Sequence, residues 1–199
     1  MSTDVSNLIA GTPTLYIAPV GEALPNIDTI VAPAITAPAP AGNWSAVGFT
    51  MEDWTMPYSP TMQAIEVNEH AAAVKHVLVR EQLRLGVMLA ENDLASWTQA
   101  INAATLATVS PGAAQTGQDT FAVGDGVVTP VSLLIYGTNP AGGTRVIHIY
   151  KAVQQNEVTF TFSREHRGHQ VEFEAQADPA KAAGARLFQV YDITTAAST

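Results

Sequence analysis

Glu165, His166 and His169 bracket Arg167-Gly168 and form the tightest grouping of possible metal ligands in the chain. A cation held there would share its site with an arginine, whose charge opposes it, so the grouping reads as the polar loop of a hairpin. Glu172 and Glu174 are two apart, which puts both on one face of a strand, as a general acid and base require. Exposed strand faces commonly carry such pairs, so the spacing does not single out catalysis. His148 lies among apolar residues and reads as a satisfied interior or edge residue, while His70 and His76 have no third ligand at metal spacing. There is no cysteine, which excludes disulfides and thiolate metal sites. Nucleophile-elbow, phosphate-loop and dinucleotide patterns are all missing, and Gly124-Asp125-Gly126 is a turn. The expectation is a protein that is not an enzyme, with no catalytic residues, metal or cofactor.

A second grouping is acidic: Glu52, Asp53, Glu66 and Glu69. On a monomer these would be a solvated sheet face that aids solubility. In subunits arranged around a channel they would line it with negative charge and repel DNA from the wall. The balance of 9 Lys and Arg against 18 Asp and Glu disfavours gripping phosphates. The imbalance sits mainly in residues 1–100, which hold 10 acids and 3 bases. No apolar stretch reaches membrane-span length and the start Met1-Ser2-Thr3-Asp4 has no leader pattern, so the expectation is a soluble protein made in a cytoplasm.

The elements that must position these residues are mostly strands. Lys75 to Leu89 has apolar residues at the odd positions Val77, Val79, Leu83, Leu85, Val87 and Leu89, with Glu81 the exception and Leu78 and Met88 breaking the even face. That period of two predicts a strand buried on one face. At ~3.3 Å per residue it would span about 50 Å, which predicts a bend or bulge, placed at Gly86. Asn92 or Asp93 can cap a helix in which Leu94, Trp97, Ile101 and Ala104 share one face, ending near Thr105. Further strands are predicted at Thr14–Val20, Trp44–Phe49, Trp54–Tyr58 and Thr61–Glu69, with a break at Ser59-Pro60. The four candidates from Trp44 to Leu89 are expected to form a meander. Val109 to Pro130 reads as loop with a short strand near Phe121. Val131–Tyr136 and Thr144–Ala152 are strands, Glu157–Ser163 and His169–Ala175 a hairpin, and Arg186–Ile193 the last strand. Residues 1–12 read as an arm, 13–199 as one domain, and 22–42, with Pro25, Pro33, Pro38 and Pro40, as an extended loop. The fold class is thus mainly β (α+β): a β-sandwich or barrel with one flanking helix.

The runs GNWSAVGFTMEDWTMPYSP and AIEVNEHAAAVKHVLVREQLRLGVMLAENDLASWTQAIN resemble the tail tube (major tail) proteins of long-tailed bacteriophages, especially those with flexible, non-contractile tails. The matching features are Trp44 to Gly48, a turn with acids, the acidic strand Ile65-Glu66-Val67, the step Ala73-Val74-Lys75, and a strand leading into a helix. The match covers about residues 10 to 105. Ala73 stands where the family has proline, and 22–42 has no counterpart.

The resemblance implies a structural virion protein in six-membered rings, stacked into a tube around a tape measure protein and later passing DNA without specific binding. It implies strands within 44–89 pairing edge to edge between subunits to complete an inter-subunit barrel. Glu52, Asp53, Glu66 and Glu69 would face the lumen, and Trp54, Met56, Tyr58, Ile65 and Val67 would contact neighbouring subunits or rings. Partners would be further copies, the tape measure protein, and tail terminator and distal tail proteins, with no membrane. The location would be the virion tail, assembled in the host cytoplasm. Two alternatives stand beside it. One is another ring-forming tail protein, such as a terminator or distal tail component. The other is a β-sandwich module for carbohydrate or receptor binding, with exposed Trp44 or Trp54 as its platform.

Overall fold

The computed structural model describes residues 13–25, 42–66, 74–90, 94–101, 104–113, 115–124, 127–138, 143–155, 157–158 and 168–193, and the side chains of these except at 52, 53, 95, 96 and 100. The arm at 1–12, most of the 22–42 loop, Val67, Glu69, His70 and the 159–167 part of the expected hairpin lie outside the described residues.

The described chain is mainly β with one short helix, and its principal sheet curls into a half-barrel. In chain order the elements are β1 (Thr14–Pro19), β2 (Ser45–Ala46), β3 (Thr50–Thr55), β4 (Tyr58–Ile65), β5 (Lys75–Leu89), α1 (Leu94–Ala100), β6 (Ala104–Val109), β7 (Gln118–Val123), β8 (Val131–Thr138), β9 (Thr144–Gln154), β10 (His169–Ala175) and β11 (Phe188–Ile193). The sheet runs β2-β1-β8-β9-β10-β5-β3, with β11 on β9 and β4 on β5, all antiparallel. β6 and β7 form a separate two-stranded sheet.

Burial follows the alternation in the sequence where a second layer exists. Leu83, Leu85, Val87 and Leu89 of β5 join Val171, Phe173 and Ala175 of β10, with Leu133, Ile135 and Ile149, in the larger core cluster. Tyr16, Ala18, Trp44, Leu134, Tyr136 and Val146 form a second cluster, so β8 is buried on both faces. Such two-sided burial is why β8 reads as a near-continuous apolar run.

Several expectations change. The four strands from Trp44 to Leu89 are not a meander: β2 is short and pairs β1 at the far end of the sheet, because the chain turns at Gly48, where φ is 90°. Ser59-Pro60 is not a break but lies within β4. Arg84 N donates to Pro57 O at 3.1 Å, so alternate β4 residues turn their backbone groups towards β5 and Pro60 turns its donorless nitrogen to the outer edge. That is where a strand tolerates proline. Ala104 belongs to β6, not to the helix, which closes with Ile101 N on Trp97 O at 3.0 Å. The short strand expected near Phe121 in the loop-like stretch after Val109 is β7. The irregularity expected in β5 at Gly86 lies across from it in β3, between Met51 and Thr55, and a second lies at Val79. A Cβ on Gly86 would stand 2.7 Å from Thr55 Oγ1, so glycine allows that close crossing.

Candidate functional site

β5 is longer than the body it packs on. Its residues 83–89 alternate buried and half-buried, but 75–81 are exposed throughout, as is every residue of β4. β4 and the first half of β5 therefore form a two-stranded ribbon that leaves the core. Register assigns its two faces, since directly opposed residues share a side. Tyr58↔Leu83, Pro60↔Glu81, Met62↔Leu78 and Ala64↔His76 continue the face that buries Leu83. Ser59↔Gln82, Thr61↔Arg80, Gln63↔Val77 and Ile65↔Lys75 form the other.

The single-residue slip at Val79 decides this. Thr61 opposes Arg80 but Met62 opposes Leu78, so β5 gains a residue and its side-chain phase inverts. Beyond it Leu78, not Val77, lies on the core-side face. The ribbon then presents Tyr58, Pro60, Met62, Ala64 and Leu78 as an apolar surface, with Met62 56% and Leu78 43% exposed. Glu81 is the acid on this face, and its Oε1 accepts from Tyr58 Oη at 2.6 Å. That bond, with the neighbouring negative charge, raises the Tyr58 phenol above its ordinary range.

The opposite side of β5 is polar and knitted to β10. Arg84 Nη1 meets Glu172 Oε1 at 3.0 Å, Arg80 Nη2 meets Glu174 Oε1 at 3.6 Å, and Gln82 Nε2 donates to Glu174 Oε2 at 3.0 Å. Glu172 and Glu174 are thus neutralised cross-strand partners, not an acid and base aimed at an empty site. All three bases of residues 1–100, Lys75, Arg80 and Arg84, fall on β5.

Pairing with β10 stops at Glu174↔Arg84, and among the described residues nothing pairs with β5 on that edge from Lys75 to Leu83. Past this point β10 follows β9, where Gln176 N donates to Lys151 O at 2.7 Å, and β11 takes up the β9 edge from Phe188. The ribbon and β11 diverge, and a cleft of about 660 Å³ opens at their junction, lined by Tyr58, Glu81, Ala175, Ala183, Arg186 and Phe188 among others. β11 is held down by a fork in which Arg145 Nε and Nη2 donate to Asp192 at 2.7 and 2.8 Å. That pairing holds the Asp192 carboxyl below its usual range.

One buried serine and histidine do meet. Ser132 Oγ lies 2.9 Å from His148 Nε2 and donates to Ile149 O at 3.2 Å. With its proton on the carbonyl, the serine accepts from the imidazole N–H, the reverse of what an activated nucleophile needs. Both residues are buried, and desolvation, with the charge of Lys181, pushes His148 down to about 4. This is an internal tie, as the apolar setting of His148 suggested. No group of three His, Asp or Glu among the described residues could hold a metal.

Of the expected interface residues, Tyr58 and Ile65 are exposed on the ribbon, whereas Trp54 and Met56 are half-buried against the chain's own core. Glu66 is exposed just past β4; Glu52 and Asp53 lie in β3, their side chains outside the description. Trp44 cannot serve as a sugar platform: it is 6% exposed and its Nε1 donates to Ala23 O at 3.0 Å. Met62 and Leu78 were missed as surface residues, although the break in alternation at Leu78 was the visible sign of the slip. No helix among the described residues is long and apolar enough to cross a membrane. No protein-family model matches the chain, and no curated protein matches it significantly.

Proposed function

We propose that this chain is a structural subunit of the tail-tube type, which polymerises through the β4–β5 ribbon into a hollow conduit. The observation that carries the reading is a ribbon with apolar side chains on one face and, among the described residues, no strand on either outer edge. Unpaired edges of this kind are completed by another strand. Each copy carries both halves of such a contact, the outer edge of β4 and the outer edge of β5, so repeated pairing is head-to-tail and closes into a ring when the rotation allows. β4 contains no charged residue, so it can approach another copy without adding like-charge repulsion of its own.

On this reading the rings are six-membered and stacked, as in the family the sequence resembles. They surround a tape measure protein, end at terminator and distal tail proteins, and reside in the virion. Glu52, Asp53, Glu66 and Glu69 are the proposed lumenal acids, and no catalytic role is proposed. The test is sedimentation velocity over a concentration series, comparing the protein with Met62→Asp and Leu78→Asp. Concentration-dependent growth that either substitution abolishes supports the reading. A protein that stays monomeric at millimolar concentration, or variants that assemble as it does, would refute it.

A further inference from the structure

Resting on that reading, we infer that Met62 is an oxidation site that switches assembly off: its thioether, converted to the sulfoxide by a peroxide, no longer packs against a second copy. Met62 is 56% exposed on the apolar face of the ribbon, directly opposite Leu78. The other methionines among the described residues, Met51, Met56 and Met88, are half-buried. Met56 packs against the larger core cluster, and Met88 is crowded by Gly168, where a Cβ would stand 2.6 Å from its Cγ. A thioether must be reached to be oxidised, so a peroxide in solution meets the Met62 sulfur first. The chain has no cysteine, so no thiol competes for the oxidant.

The step is a two-electron oxygen transfer. Sulfur takes one oxygen of hydrogen peroxide, the O–O bond breaks as the S–O bond forms, and the other oxygen leaves as water with both hydrogens. The thioether is oxidised, the peroxide is reduced, and an apolar side chain becomes a polar one. On the free chain the new oxygen stays hydrated, so the fold is undisturbed. Of the residues beside it on this face, Pro60, Ala64 and Leu78 have no side-chain donor and Glu81 accepts, which leaves the His76 imidazole, opposite Ala64, as a donor. A sulfoxide covered by a second copy is therefore either unpaired or takes a second polar group into the contact with it. Both weaken association relative to the thioether. The coupling is reciprocal: assembly that covers Met62 shields its sulfur, and oxidation of the free subunit stops growth. It is also reversible, because methionine sulfoxide reductases return the thioether at the expense of an external dithiol, the oxygen leaving as water.

The test treats the purified chain with hydrogen peroxide, locates the added oxygen by peptide mass spectrometry and follows assembly by sedimentation velocity. Oxygen should enter at Met62 before Met51, Met56 and Met88, with an unchanged thermal transition. The concentration for half-assembly should rise at least about tenfold and recover when reductases for both sulfoxide epimers and a dithiol are added. Met62→Leu removes the sulfur, so peroxide should shift its half-assembly concentration by less than about twofold, whatever the starting value. Three results overturn the switch while leaving the assembly reading standing: oxygen entering first at Met51, Met56 or Met88, assembly unchanged with Met62 fully oxidised, or a Met62→Leu protein as sensitive as the unmodified one. An unmodified protein that never assembles overturns both.

Discussion

Replacing His148 by glutamine should flatten the acid dependence of stability. The imidazole is 5% exposed, faces Trp44 at 5.7 Å and Tyr150 at 4.8 Å between ring centroids, and is tied to Ser132. Burial moves its midpoint from 6.5 down to about 4, Lys181 contributing in the same direction. The unfolded chain therefore takes up a proton near pH 6.5, while the folded one resists until about pH 4. The folded state's advantage is full above 6.5 and is lost as the pH falls through that window. At ~1.4 kcal/mol per pH unit this amounts to about 3 kcal/mol, and to about 2 once partial water access is allowed for. Glutamine retains an N–H for Ser132 but does not titrate. Urea unfolding at about pH 7, 5.5 and 4 should show the unmodified protein losing about 2–3 kcal/mol more than the variant. Parallel losses in both proteins would refute the assignment of a buried neutral imidazole.

Other expectations follow from the same contacts. Leu83→Ala, at a fully buried position where the ribbon joins the core, should cost about 3 kcal/mol in denaturant unfolding. Met62→Asp, by contrast, should change stability by less than about 0.5 kcal/mol while abolishing assembly, because its side chain is exposed. Gly86→Ala brings a Cβ within 2.7 Å of Thr55 Oγ1 and should destabilise by about 1–3 kcal/mol, with much of the loss recovered in the Thr55→Ala background. Asp192→Asn should weaken global stability by under about 1 kcal/mol yet raise amide exchange in β11, which pairs only with β9 among the described strands.

Where a strand has one buried face, its sequence announced it. Residues 83–89 of β5 and all of β10 alternate as the burial does, because a period-two pattern and a one-sided core are the same constraint. The ribbon was less readable. A slip of one residue at Val79 changes neither composition nor length, so Val77 and Val79 continued an apparent apolar face that the paired structure does not keep. β6 escaped notice because it is exposed on both faces after Ala104, and a strand without a second layer needs no alternation. α1 was correctly placed from Leu94 and Trp97, but Ala104 fits a helical face as well as a strand, and only pairing to Val123 decides between them. The chemistry-bearing residues behaved as their surroundings dictated: Glu172 and Glu174 found arginines across the strand, and His148 found a serine. The cleft beside the ribbon could not be foreseen, since it arises where β10 and β5 part company, a property of sheet pairing and not of local sequence.

The most direct test of the central claim is negative-stain electron microscopy of the purified chain across a concentration series, beside the Met62→Asp variant. The account predicts hollow tubes with a regular axial repeat for the unmodified protein and none for the variant. Monomers at every concentration in both samples, or tubes that form equally well from the variant, would contradict it.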